Sequence, residues 1–171
     1  TPLMEAFDKD LSITALSPAI SCTKNLAAVG YGATWKDDEL AMIWLPKQKD
    51  GCYEVPFIGG AGTFIRRSVF EKLKGFDDGI VKWGYEDMEL SIRLWLFGYR
   101  VTVVTESVIY HKFRKKFRYD LDYTDGLYNK LRLIFLHFDG ARFRRLVTHQ
   151  LRYHGSDLAL KRLYQDGSEA L

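Results

Sequence analysis

Residues 83–89, Trp83-Gly84-Tyr85-Glu86-Asp87-Met88-Glu89, place two adjacent carboxylates directly behind a glycine flanked by aromatic rings. Such a pair can accept protons, and two adjacent carboxylates repel each other, so their surroundings decide which form they take. The apolar spacing that follows predicts a largely buried helix over 86–97, ended by Gly98, with Glu89 and Arg93 paired at i,i+4. Both carboxylates then sit near the positive end of the helix dipole, which favours their ionised forms and a base role over an acid role. Acidic residues in a first turn also serve as plain helix caps, and the pair alone does not separate the two uses.

The elements that must hold this segment can be read on either side of it. Residues 57–65 carry Gly59, Gly60 and Gly62 inside a strand-like run, so side chains are missing where another backbone or a ligand comes close. Ser68 and Glu71 form a Ser-x-x-Glu capping box for a short helix through Leu73, closed by Gly75. Residues 2–7 read as the end of a helix, 13–18 as a strand that Pro18 marks as an edge or an end, and 29–46 as a loop and hairpin. Residues 100–105 and 108–110 read as two short strands. Beyond His111 the chain turns helical, with Asp125 as a first N-cap, Gly140 and Gly155 as punctuation and Ser156 capping the last helix.

With 171 residues, 47% of them hydrophobic, and only 4 Pro, the composition fits one globular domain with a core and excludes extensive disorder. Cys22 and Cys52 cannot make a disulfide framework, suit a reducing compartment and read as free thiols. No apolar run approaches the roughly 20 residues that span a bilayer, and the opening residues carry no signal-peptide pattern. The net charge of +3 is unevenly spread: residues 1–111 hold 12 basic and 15 acidic side chains, residues 112–171 hold 13 and 7. Residues 112–118, Lys112-Phe113-Arg114-Lys115-Lys116-Phe117-Arg118, could meet a nucleoside diphosphate, an anionic membrane or nucleic-acid phosphates, or form a solvated basic loop. Arg142, Arg144, Arg145 and Arg152 extend the basic region onto a helix that could lie on a membrane surface or simply pack. The absence of Met at position 1 and an opening that reads as mid-helix lead us to expect a piece of a longer chain.

Four stretches in order, Val55-Pro56-Phe57-Ile58-Gly59-Gly60-Ala61-Gly62-Thr63-Phe64-Ile65-Arg66-Arg67-Ser68-Val69-Phe70, Gly75-Phe76-Asp77, residues 83–93, and Gly98-Tyr99-Arg100-Val101 followed by His111, resemble the second half of GT-A glycosyltransferases. The likeness is to family 2, with the galactosyltransferases and polypeptide N-acetylgalactosaminyltransferases nearby, and it covers residues 55–114. It implies an α/β fold: the acceptor-side half of a GT-A nucleotide-diphospho-sugar transferase over 1–118, and a basic helical extension over 119–171. By resemblance, Asp87 is the general base that deprotonates an acceptor hydroxyl, and Glu86 orients the acceptor. Asp at that position resembles inverting enzymes, where related retaining ones tend to have Asn. Gly59, Gly60 and Ala61 would line the donor sugar and acceptor. Trp83 would pack on the acceptor with Gly84 and Tyr85 beside it, and Arg114 would join the substrate contacts. His111 would complete a site for Mg2+ or Mn2+.

The family's Asp-x-Asp or Asp-x-His motif is missing; Asp8-Lys9-Asp10 fits the letters but is expected in a turn leaving the first helix. The reading is therefore a glycosyltransferase of polysaccharide-building type, acting on a nucleotide-sugar donor and a carbohydrate, lipid-linked or protein acceptor. It is expected in the cytoplasm, with peripheral contact at the inner face of a membrane, without nucleic acid, and inactive as this chain alone. Two other classes compete: a carbohydrate-binding module stacking sugars on Trp35, Trp44, Trp83 and Tyr85, and a nucleic-acid-binding protein resting on the basic third. The carboxylate pair argues against both, since stacking does not need it and phosphate binding is harmed by it.

Overall fold

The computed structural model describes residues 1–114 and 120–169, so Lys115, Lys116, Phe117 and Arg118 of the basic run lie outside the described residues. The chain forms two compact units. One comprises Thr1–Thr34, Met42–Asp77 and Asp87–Lys115, the other Trp35–Ala41, Asp78–Glu86 and Lys116–Leu171.

In the first unit, helix α1 (Pro2–Lys9) starts where the Thr1 hydroxyl accepts from the Met4 N–H, and it buries Leu3, Ala6 and Phe7 against Ile13, Leu16 and Val104. Strand β1 (Ile13–Cys22) is buried over nearly its whole length, as a strand covered on both faces must be. It pairs antiparallel with β2 (Asn25–Gly30). A two-stranded ribbon of β3 (Ala33–Trp35) and β4 (Met42–Trp44) follows, matching the expected hairpin. Next come β5 (Cys52–Glu54), a single 3-10 turn (Gly60–Gly62), β6 (Phe64–Ile65), α2 (Arg67–Lys72), α3 (Glu86–Leu96) and β7 (Arg100–His111). The sheet runs β2-β1-β7-β5, with β6 also beside β1, and β1 and β7 are parallel.

Pro18 lies mid-strand, neither at an edge nor at an end as its type suggested. It is tolerated because β6 pairs with residues 15 and 16 and β2 with residues 20–22, leaving residues 17–19 unpaired on that side, while the register with β7 slips at Pro18/Ala19. That slip also explains why β7 reads as two strands. Pro18 faces Val104 and Ala19 faces Val108, so residues 105–107 bulge from one continuous strand. Thr105 Oγ1 and Glu106 Oε1 use the bulge to accept from the Gly51 N–H at 3.0 and 2.8 Å.

Helix α2 starts before Ser68, with Arg66 at the cap and no side-chain cap bond. The capping box does not form because Glu71 pairs instead with Arg67 Nε at 2.9 Å. Gly75, at φ +74°, does end the segment in a left-handed conformation. Helix α3 packs Leu90 and Leu94 against Val101, Val103, Val55 and Ile58, but Trp95, Leu96 and Phe97 stay exposed, so it is less buried than its composition suggested. Glu89 is 1% exposed and binds Arg93 through both oxygens at 2.6 and 2.7 Å; the same guanidinium donates to the carbonyls of Leu73 and Gly75 at 2.6 and 2.8 Å. One arginine thus neutralises a buried carboxylate and closes the end of α2.

The second unit is helical: α4 (Tyr123–His137), α5 (Gly140–Gln150) and α6 (Ser156–Glu169) around Leu127, Tyr128, Leu131 and Ala159. Asp122, rather than Asp125, caps α4, accepting from the Thr124 N–H at 2.8 Å. Asp125 sits a turn later, buried, where Lys82 Nζ meets it at 2.7 Å and Arg162 Nη1 at 3.0 Å. Among the described residues no helix is long and apolar enough to cross a membrane. Cys22 and Cys52 are free thiols, as expected.

Replacing Arg93 by Ala would leave Glu89 buried without its guanidinium and two carbonyls without their donor. A loss of about 3–5 kcal/mol in urea unfolding is expected, since breaking one half of a buried pair strands the other charge. A loss below about 1 kcal/mol, the worth of a surface pair, would mean that the clamp does not form.

Candidate functional site

In the first unit the site is built around Asp87. Its Oδ2 accepts from the Gly60 N–H at 2.9 Å and its Oδ1 from the Met88 N–H at 2.8 Å, which ties the 3-10 turn to the start of α3. Ser91, fully buried, makes a second tie: its hydroxyl donates to the Asp87 carbonyl at 2.7 Å and accepts from the Ile58 N–H at 3.4 Å. Despite the two N–H donors, burial pushes the Asp87 carboxyl above the usual aspartate range. This corrects the expectation from the helix dipole: loss of water outweighs the positive helix end. A carboxylate so raised is a stronger base at neutral pH than an ordinary one, provided it stays ionised.

The glycines around it have internal reasons to be bare. A Cβ on Gly60 would stand 3.4 Å from Asp87 Oδ2. A Cβ on Gly59 would collide with the Trp44 indole at 2.7 Å, and one on Gly30 with the same indole at 2.6 Å, so Trp44 lies between two glycines. A Cβ on Gly62 would meet Ile109 at 2.7 Å. The Gly-rich run thus contains a 3-10 turn packed under an indole where a strand-like run was expected; Gly60 and Ala61 keep exposed outer faces. From Trp44 the packing continues to Phe113 (ring centroids 6.2 Å apart) and on to His111 (4.4 Å).

His111, the last residue of β7, stands in register with Cys22 of β1. Its Nδ1 is buried and has no hydrogen-bond partner among the described residues, as a free ligand nitrogen would be. Yet no three His, Cys, Asp or Glu side chains gather to hold a metal among the described residues, so those residues do not by themselves fit a divalent ion. Asp10, of the Asp8-Lys9-Asp10 triplet, is committed to Arg100 Nη1 at 2.9 Å and to Ser12 at 2.9 and 2.6 Å. Arg114 is exposed.

Trp83, Gly84, Tyr85 and Glu86 belong to the second unit. Glu86 Oε2 accepts from the Gly84 N–H at 2.7 Å, closing the loop on itself. The loop is strained: Lys82, Gly84 and Tyr85 have φ of +52°, +104° and +73°, and two of these are not glycine. Asn129, fully buried on α4, holds it. Its Oδ1 accepts from the Val81 N–H at 2.9 Å, and its Nδ2 donates to the carbonyls of Val81, Trp83 and Gly84 at 2.9, 3.3 and 3.1 Å. The loop presents Trp83, 50% exposed, and Tyr85 to a cavity of about 410 Å3, completed by Leu121, Asp122, Tyr123, Asp125, Gly126, Leu127 and Lys130. Burial pushes the Tyr85 hydroxyl well above the ordinary tyrosine value, so it remains a neutral donor. Sequence reading missed Ser91, Asn129 and Lys130; the available signal was polar residues set among apolar ones on a helix face destined for the core.

The model of the family described as "Glycosyl transferase family group 2" matches residues 7–150. Polypeptide N-acetylgalactosaminyltransferase 8 of Drosophila melanogaster is 41% identical over 59 residues, which are 34% of this chain and 10% of that protein. Polypeptide N-acetylgalactosaminyltransferase 11 of Xenopus tropicalis is 28% identical over 115 residues, 67% of this chain and 19% of that protein. A crystal structure of GalNAc-T7 with UDP, GalNAc and Mn2+ superimposes with a TM-score of 0.63 at 17% identity, over 98% of this chain and 38% of the other. The chain thus spans only a fraction of the length of the relatives it matches.

Asn129→Leu is expected to destabilise the protein by about 2–4 kcal/mol. The loop's carbonyls and the Val81 N–H would lose their only shown side-chain partner, and a lost partner for a buried polar group costs about 1–3 kcal/mol. Thermal unfolding, with red-shifted Trp83 fluorescence in a Trp83-only background, reads both the loss and its location. An unchanged melting temperature would remove Asn129 from this role.

Proposed function

Because the chain belongs to glycosyl transferase family group 2 and has the GT-A fold, we propose that it is the acceptor-side part of an inverting glycosyltransferase with Asp87 as general base. The observation that carries this reading is the Asp87 carboxylate, pulled from water, raised in pKa and held by the Gly60 and Met88 N–H groups. Within this proposal, residues 1–118 form the acceptor-side half and 119–171 the helical extension.

In the reaction an acceptor hydroxyl gives its proton to Asp87 as its oxygen attacks the anomeric carbon of a nucleotide sugar. The bond from that carbon to the diphosphate breaks, and the nucleoside diphosphate leaves with the electron pair. The turn that fixes Asp87 spares the reaction an orientational search, which is where positioning lowers barriers. Gly60 and Ala61, exposed at that turn, line the path of the sugar, and Arg114 offers a cation to the departing diphosphate. Glu86, bonded to Gly84, keeps the aromatic loop of the second unit folded, with Trp83 half exposed. His111, with its free Nδ1, would contribute one ligand to Mg2+ or Mn2+, which supplies Lewis-acid stabilisation of the leaving group.

The names of the relatives supply substrates to test, an N-acetylgalactosamine donor and a polypeptide acceptor, beside carbohydrate and lipid-linked acceptors. Cytoplasmic placement and contact with an anionic membrane through the basic third remain part of the proposal, and vesicle binding tests the latter.

Asp87→Asn in the full-length protein should lower kcat by about 10²–10⁴-fold with little change in donor binding. The base must be ionised to act, so wild-type kcat/KM should fall as pH drops through a value above the ordinary aspartate pKa of 3.8, and the mutant should lose that limb. Wild-type turnover in the mutant, or an acid limb that persists in it, would exclude Asp87 as the base.

A further inference from the structure

The cavity of the second unit holds a cation that meets aromatic faces and, among the described residues, no carboxylate at ion-pair distance. Lys130 projects from α4 into the wall, and its ammonium lies over the faces of two rings, 5.7 Å from the centroid of Tyr85 and 5.5 Å from that of Tyr153. No carboxylate forms an ion pair with it among the described residues, while Glu39 and Asp37 favour its charge only from a distance. Burial pushes its pKa down, the sign of an ammonium short of both water and counter-ion.

The cavity's other charges are committed. Asp125 is shared by Lys82 and Arg162 at 2.7 and 3.0 Å, and Asp122 caps α4 through the Thr124 N–H at 2.8 Å. Rings stand on the remaining walls: the Trp83 indole, half exposed, and the Tyr123 phenol, 61% exposed. Two glycines keep the space open, since a Cβ added at Gly84 or Gly126 would meet nothing within 4 Å. Gly126 is inside α4, where glycine is a poor helix former, so the helix accepts a weaker residue at the wall of the cavity. A volume of about 410 Å3 falls in the range of small-ligand sites.

We propose that this cavity receives an acidic sugar: a pyranose whose apolar face lies on Trp83 and Tyr123 and whose anionic group, carboxylate or phosphate, lies on the Lys130 ammonium. Aromatic faces supply affinity for the ring without choosing among hexoses. The unpaired cation makes the choice, because a neutral sugar leaves it desolvated and unanswered, while an acidic one gains a charge-assisted hydrogen bond. This rests on the transferase reading and names the chemical class of a sugar that the second unit receives.

The test measures binding without donor, by ligand-observed NMR on the full-length protein, with glucose, glucuronate and glucose 6-phosphate as probes. Glucuronate, glucose 6-phosphate or both should bind about tenfold or more tightly than glucose, the worth of one charge-assisted hydrogen bond. Whichever acid shows the preference identifies the anionic group. Lys130→Met should bring the acids down to the glucose value, Lys130→Arg should keep the preference, and Gly126→Leu, which fills the cavity from an unstrained helical position, should weaken all three. Equal binding of glucose and both acids, no binding of any of them, or a preference that survives Lys130→Met overturns the proposal. Because no transfer is measured, the two readings fail separately. Transfer to neutral acceptors without an acidic preference keeps the transferase and removes the acidic site; an acidic preference without transfer from any donor does the reverse.

Discussion

A carboxylate taken out of water has to be met by donors, and at Asp87 the two that meet it come from different elements, the 3-10 turn at Gly60 and the first turn of α3 at Met88. Much of the first unit follows from that requirement. Gly60 brings its N–H to Asp87, Gly59 must be bare for Trp44, and Trp44 carries the packing through Phe113 to His111. Ser91 and the Arg93 clamp then hold the same helix to Ile58 and to the end of α2. Asp87 and His111 thus stand at two ends of one packed run through Gly60, Gly59, Trp44 and Phe113. Substitutions along it are expected to act through position, without touching a reactant.

The second unit meets a comparable demand differently. Its loop uses positive φ at two residues that are not glycine, and such strain persists only where neighbours over-determine the backbone. Asn129 does this with one side chain, bonding one backbone donor and three backbone acceptors of the loop. The result is an indole and a phenol held at a cavity while the charges around them are paired off, except for Lys130.

Resemblance and geometry bear on different links of the argument. Family membership rests on the match over residues 7–150, and the shared fold on superposition; neither assigns a donor or an acceptor to this chain. The geometry bears on which groups can act. It leaves Asp10 to Arg100 and Asp125 to Lys82 and Arg162, while Asp87 is held by backbone N–H groups alone among the hydrogen bonds shown.

Helix α3, its stop at Gly98, the hairpin of residues 29–46 and the three helices after residue 120 could be read from the sequence, because periodicity, caps and turns act over a few residues. The carboxylate pair, and with it the family resemblance, was equally local. Four readings went astray, three where distant partners decided and one, at Ser68, where a neighbouring ion pair formed. Pro18 sits mid-strand because neither neighbour needs its N–H there; Ser68 loses its cap to an Arg67–Glu71 pair; Asp125 leaves its cap for Lys82 and Arg162; and residues 105–107 bulge instead of ending β7. The protonation preference of Asp87, the fit of Trp44 between Gly30 and Gly59, and the role of Asn129 also belonged to the tertiary structure. They depend on groups tens of positions away in the chain, and on how much water those groups exclude, and neither quantity is encoded in a local stretch of residues.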